Sequence, residues 1–149
     1  MILLVHLLFG AAIGSAVKNI YLAVILAFLG HYFLDLIPHI DYPIENIKEK
    51  QWSRALPQIV LVALDFFAGI WLIFLFSKNQ PIIYICALFA LLPDGVTVLN
   101  FLMPNKTLQP FQKFHQKIHF LKDKKISNFW RIFTQVIIVI ISMILLNRY

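Results

Sequence analysis

Apolar residues run along this chain in long, nearly unbroken stretches separated by short polar connections. Five stretches stand out: Ile2–Val17, Ile20–Pro38, Ala55–Phe76, Pro81–Met103 and Phe129–Leu146. A helix needs about 20 apolar residues to cross the hydrocarbon of a bilayer, so each stretch approaches one crossing, the first being short. The pattern predicts an all-α, polytopic membrane helix bundle, with about five transmembrane helices in a single domain over residues 1–149. Glycines, alanines and Ser15 in the first stretch give it the look of a signal peptide. It has no basic leader, however, and carries His6 inside its apolar run, so it is read as a helix of the bundle. Its Gly10-x-x-x-Gly14 spacing suits close helix packing.

The connections add a sixth element and an orientation. Phe111, Phe114, Ile118 and Leu121 recur at helical spacing with lysines around them, which predicts a basic amphipathic helix in the membrane interface over about 108–125. His115 and His119 share one flank of its apolar stripe. The connection His39–Arg54 holds Lys48, Lys50 and Arg54, and Pro104–Asn128 holds six lysines, whereas the opposite connections hold only Lys18 and Lys78. The positive-inside rule then places the N-terminus and both long connections in the cytoplasm, as for an integral protein of a plasma (inner) membrane.

Composition fits this picture. Charged residues are 13% of the chain and mean hydropathy is +0.80, whereas soluble domains carry about a quarter charged residues to keep a wet surface. The net charge of +6 does not point to nucleic acid, because the lysines cluster at the ends of apolar runs. The partners they suggest are membrane lipids with anionic headgroups. The lone Cys86, inside an apolar run, excludes a disulfide framework and a cysteine zinc site. No phosphate-cradling glycine loop, nucleotide fingerprint or Ser/His/Asp triad is present.

Against this apolar background the embedded ionisable residues are conspicuous: His6, His31, Asp35, Asp65 and Asp94. An aspartate at mid-helix costs about 2.5–3.5 kcal/mol even on lenient insertion scales, so paired hydrogen bonds or a bound cation must offset them. Helical rise puts His31, Asp94 and Asp65 about 10, 13 and 15 Å below the cytoplasmic side. His6 starts from the same side, and His115 and His119 lie over it. All converge on one shallow cavity. The Leu92-Pro93-Asp94-Gly95 run suggests a local helix break lining that cavity. Individually, His6 also reads as an interfacial hydrogen-bonder, and Asp65 as a partner for a neighbouring helix.

His31-x-x-x-Asp35-x-x-x-His39-x-Asp41 goes further. Imidazole and carboxylate four apart share a helix face, and these ligand types suit zinc. One tetrahedral ion cannot use all the donors present. Two or three metals, or one metal with a general base, would use them, and two metals about 3.5–4 Å apart can clamp both oxygens of a phosphoester displacement.

The segment Gly30-His31-Tyr32-Phe33-Leu34-Asp35-Leu36-Ile37-Pro38-His39 resembles the His-x-x-x-Asp element of the membrane-bound metal-dependent hydrolases. His6 resembles that family's early histidine, Leu92-Pro93-Asp94 its Leu-Pro-Asp element, and His115 with His119 its histidine pair. Where the family usually continues Leu-Pro-Asp with Asp and His, this chain has Gly95 and Val96. Zinc-dependent phospholipase C is similar in ringing a zinc cluster with helical His-x-x-x-Asp/Glu ligands. The resemblance implies a zinc or manganese hydrolase, with one to three ions, acting on an ester or phosphoester of a lipid-like substrate.

The expected metal ligands are therefore His6, His31, Asp35, His39, Asp94, His115 and His119. Asp41 and Asp65 are the candidate catalytic carboxylates, Asp65 as a further ligand or the base that orients water. Three other classes compete: a divalent-metal transporter or homeostasis protein, a bis-histidine haem protein, and a non-catalytic scaffold.

Overall fold

The computed structural model describes residues 1–119 and 126–148, and among them every regular element is helical. The order is α1 Leu3–Ala16, α2 Ile20–Asp35, α3 Glu45–Lys48, α4 Trp52–Phe76, α5 Pro81–Leu102, α6 Gln109–Ile118 and α7 Asn128–Arg148. Three of these, α4, α5 and α7, are long and apolar enough to cross a membrane. The five expected crossings are thus met at full length by three. The helices α1 and α2 are apolar but have 14 and 16 residues, about 21 and 24 Å at 1.5 Å per residue, short of the ~30 Å of hydrocarbon.

The shortness of α2 has a local cause. Asn19 caps its start by accepting from the Leu22 N–H at 3.0 Å. The helix stops at Asp35, three residues before the expected Pro38, because Ile37 precedes a proline and is biased away from helical backbone. The chain tightens through Leu36 N–H to Tyr32 O at 3.2 Å and Ile37 N–H to Leu34 O at 3.0 Å. Three other expectations also change. The connection read as His39–Arg54 contains the short α3, and α4 begins inside it at Trp52. No break interrupts α5 at Pro93-Asp94-Gly95: proline removes only the donor for the Phe89 carbonyl, and the helix continues on both sides. The helix expected at the interface corresponds to α6, strongly amphipathic, with Phe111 and Phe114 exposed and His115 buried. Its expected continuation through Leu121 and Lys122 to Lys125 lies outside the described residues.

Packing centres on α1, which touches α2, α4, α5 and α7. Small residues let it do so. A Cβ on Gly10 would stand 2.6 Å from the Cys86 carbonyl oxygen and 2.7 Å from Ala90 Cβ, and one on Gly14 would stand 3.0 Å from Cys86 Cβ. The glycine pair is therefore the line along which α1 meets α5, with Cys86 a small buried hydrophobe beside Ala23, Ala27 and Ala90. Below His6, Leu7, Leu8, Ala11 and Ala12 join Ile73, Ile83, Ala87 and Leu146 in an apolar core. Exposed Phe67, Trp71 and Phe74 of α4 and Ile140 and Ile144 of α7 give the bundle the outer surface that lipid requires.

At one end of the bundle the first turns of α1, the last turn of α2, the second half of α5 and the start of α7 meet. Three side chains of α7 hold the chain after α2 there. Thr134 donates to the Pro38 carbonyl at 2.6 Å, Gln135 to Ile40 at 2.9 Å and Arg131 to His39 at 3.4 Å. The short stretch carrying His39 and Asp41 is thereby fixed although it has no helix of its own.

Candidate metal centre

Asp35, the last residue of α2, is the hub of this end. Its Oδ2 lies 2.9 Å from His31 Nε2, 3.0 Å from His115 Nε2 and 3.1 Å from His119 Nε2. The nitrogens also crowd one another, His31 to His115 at 3.0 Å and His115 to His119 at 3.1 Å. Four donor atoms thus form five contacts of nearly one length. Around a tetrahedral ion with ligands at about 2.0 Å, neighbouring ligand atoms stand about 3.3 Å apart.

Which ring nitrogens carry protons follows from their other partners. His31 Nδ1 faces the Ala90 carbonyl oxygen at 2.8 Å, and His39 Nδ1 faces the Ile37 carbonyl at 2.6 Å. A carbonyl only accepts, so both Nδ1 atoms donate. His115 Nδ1 lies 2.8 Å from Thr97 Oγ1, whose single proton goes to the Pro93 carbonyl at 3.0 Å, so the hydroxyl accepts there too. In their neutral forms these imidazoles therefore present bare lone pairs at Nε2, and those of His31 and His115 point at a carboxylate oxygen. Buried acceptors facing acceptors are unfavourable, and a cation between them removes the conflict. A histidine whose far N–H is held by a carbonyl or hydroxyl is the usual arrangement of a metal ligand.

The other carboxylate oxygen faces a second group. His6 Nε2 is 3.3 Å from Asp35 Oδ1, His39 Nε2 is 4.0 Å from it, and His39 Nε2 is 3.0 Å from Asp41 Oδ1. The Met1 amine lies 3.3 Å from Asp35 Oδ1 and 2.8 Å from Asp41 Oδ1. His6 is fully buried, stacked on His31 with ring centroids 4.2 Å apart, and among the described residues neither of its nitrogens has a hydrogen-bond partner. Asp94 Oδ1 completes the ring at 3.6 Å from His115 Nε2 and 3.9 Å from His31 Nε2. Among the described residues three overlapping groups could hold a metal ion: His6, His31 and Asp94; His31, Asp35 and His115; Asp35, His39 and His119. The floor of the site (His6, His31 and Asp35) is sealed, and its rim opens at His119, Asp41 and Asp94, whose side chains are 16, 20 and 24% exposed.

All seven expected ligands and Asp41 are thus brought together. Asp65 is not. Its Oδ2 accepts from the Leu4 N–H at 2.7 Å and from the Tyr42 hydroxyl, while that hydroxyl accepts from the Leu3 N–H at 3.0 Å. Burial, and then the Asp65 carboxylate, raise the Tyr42 phenol above its ordinary pKa, so it stays a donor. Asp65 and Tyr42 are the cap of α1, supplying acceptors to first-turn N–H groups, and they position His6 two residues further on.

Sequence reading passed over Thr97, Tyr42, Thr134 and Gln135. Gln135 was findable, as an amide in an otherwise apolar span that demands a partner. Thr97, three residues after Asp94, shares its helix face. Nothing in the pattern marks Tyr42. Compared with known proteins, the chain matches no family model, no curated protein and no solved structure.

Proposed function

We propose that this chain is a membrane-embedded, metal-dependent hydrolase acting on an ester or phosphoester of an amphipathic lipid. The observation that carries the reading is the convergence of three imidazole Nε2 atoms on one buried carboxylate oxygen, Asp35 Oδ2. Imidazole and carboxylate donors in a tetrahedral arrangement favour zinc, with manganese second. The resemblance to membrane-bound metal-dependent hydrolases supports the same class.

His31, Asp35 and His115 would hold one ion and Asp35, His39 and His119 a second, the Met1 ammonium lying against Asp35 Oδ1 and Asp41 beside them. Metal bound there supplies Lewis-acid activation of water and neutralises charge on the reacting oxygens. The chain's own contribution is in the gradient from floor to rim. The sealed floor excludes bulk water, and the partly exposed Asp94 and Asp41 can orient a water molecule and take its proton as an alcohol leaves the ester. In our reading α1, α2, α4, α5 and α7 all cross the bilayer, the bilayer thinning around the two short helices. The lysine-rich side is cytoplasmic. A site near that interface meets the headgroup linkage of a lipid without extracting the lipid.

Transport fits less well, because beneath the cluster α1 and α5 are in backbone contact at Gly10 and Cys86 and the apolar core follows. The test is metal analysis of protein purified in detergent without chelators, followed by a phospholipid hydrolysis screen. One or two equivalents of zinc, with release of a lipid alcohol or fatty acid, are expected. A protein that contains no metal and takes up no added zinc overturns the reading.

A further inference from the structure

Across the seam between α5 and α6 from the metal centre lies an open surface cavity of about 520 Å³, lined by Lys48, Lys50, Lys113, Asn100, Gln112 and Gln116 among others, its three lysines exposed. Among the described residues two side-chain hydrogen bonds cross the seam: Thr97 with His115 on the centre's side, and the Asn100 amide donating to the Gln112 side-chain oxygen on the cavity's side. Asn100 and Gln112 each stand three residues from Thr97 and His115. The cavity therefore begins about 5 Å further along α5, toward the helix end.

Among the described residues no carboxylate pairs with its positive charge. Lys48, Lys50 and Lys113 form no ion pair among the described residues. The neighbouring Glu49 binds the Gln51 amide at 2.7 Å, and neither Glu45 nor Glu49 lines the cavity. Two lysines are held in place. The Lys48 ammonium lies 5.7 Å from the centre of the Phe101 ring, and that of Lys50 donates to the Leu102 carbonyl at 3.4 Å. Gln109, the first residue of α6, also lines the space; its N–H is bound to the Asn105 carbonyl at 3.1 Å and Pro110 has none, so the start of α6 adds only the positive end of its dipole. Asn100 Oδ1 is taken by the Asn105 N–H at 2.9 Å, which turns its amide to the Gln112 oxygen and leaves the Gln112 NH₂ to donate.

Three ammonium groups and an amide donor, with no carboxylate among the described lining residues, suit a compact dianion. We propose that this cavity binds a phosphate group, either the terminal phosphomonoester of a lipid headgroup or free phosphate. Lying outward of the metal centre, it would hold the distal phosphate of a lipid whose linkage reaches Asp94 and Asp41. The anion site stands on its own lysines, and only its part in turnover rests on the hydrolase reading.

Binding is measured calorimetrically on detergent-purified, zinc-loaded protein with dihexanoyl phosphatidic acid, inorganic phosphate and dihexanoyl phosphatidylcholine. The variant Lys48→Gln/Lys113→Gln is compared with the charge-matched Lys106→Gln/Lys117→Gln, whose positions lie outside the cavity. Phosphatidic acid should bind the wild type and the control alike, and the cavity variant at least about tenfold more weakly, at unchanged zinc content and melting temperature. Phosphatidylcholine should bind the wild type about tenfold more weakly than phosphatidic acid. Tighter binding of phosphatidic acid than of inorganic phosphate identifies the lipid as the source, and equal binding identifies free phosphate. Equal losses in the two double variants mean diffuse surface charge and overturn the site. Full retention by the cavity variant places the phosphate on the metal centre and overturns it too. Binding without hydrolysis removes the hydrolase reading alone.

Discussion

His115 Nε2 stands 3.0 Å from Asp35 Oδ2 although eighty residues of chain separate them. Asp35 ends a helix that buries one face, and His115 lies on a helix with phenylalanines on its outer side. Their meeting is favourable only with positive charge between them, because Thr97 already occupies the other nitrogen of the imidazole.

Replacing Asp35 with Ala should therefore empty the centre. Elemental analysis of Asp35→Ala is expected to give less than about a tenth of the wild-type zinc. Zinc at a hundredfold excess over its dissociation constant should stabilise the wild type by about 2.7 kcal/mol and the variant not at all. Full stoichiometry in the variant would remove Asp35 from the ligand set.

Thr97→Val tests the tautomer argument. Without the hydroxyl, His115 Nδ1 loses the acceptor that directs its other nitrogen at the ion. Zinc affinity, measured by competition with a chromogenic chelator, should fall about 10–100-fold while the protein stays folded. An unchanged affinity would show that Thr97 does not set the ring.

Asp65 separates capping from ligation. Asp65→Ala should lower stability by about 1–2 kcal/mol, the value of a helix cap, and leave the zinc count of the folded protein unchanged. Loss of an equivalent of zinc at full stability would return Asp65 to the metal.

The glycines give a contrast within one fold. At Gly10 an added methyl meets backbone at 2.6 Å, so Gly10→Ala must separate α1 from α5 and should cost about 1–3 kcal/mol in thermal unfolding in detergent. Around Gly95 nothing lies within 4 Å of such a methyl, and Gly95→Ala should be neutral or stabilising by up to about 1 kcal/mol. Equal effects at the two sites would contradict the close contact at Gly10.

Helical periodicity alone made much of the centre legible. His31 and Asp35 are four apart, His115 and His119 likewise, and the two pairs interlock through their Nε2 and Oδ2 atoms as those spacings allow. The depth argument also brought His6 and Asp94 to the same end. Asp65 resisted because depth fixes height along a helix and leaves azimuth free. It stands near the right level but faces the start of α1, whose unpaired N–H groups claim it. The C-terminal end of α2 and the course of α5 differ from the sequence expectation for a related reason. A proline's effect depends on whether the turns around it have other partners, and only three-dimensional context supplies them.

The centre draws its imidazoles from two mechanically different sources. His6, His31 and His39 belong to the bundle or to the strap clasped by α7, while His115 and His119 ride on α6, which touches the rest through α5 and α2. If an ion binds at Asp35 as proposed, it would be a rivet joining α6 to the rest of the bundle. Pulling it out would leave like dipoles face to face across the joint, and α6 would be free to swing outward on its phenylalanine side. Chelation would then be felt at Phe111 and Phe114 before it was felt in the bundle.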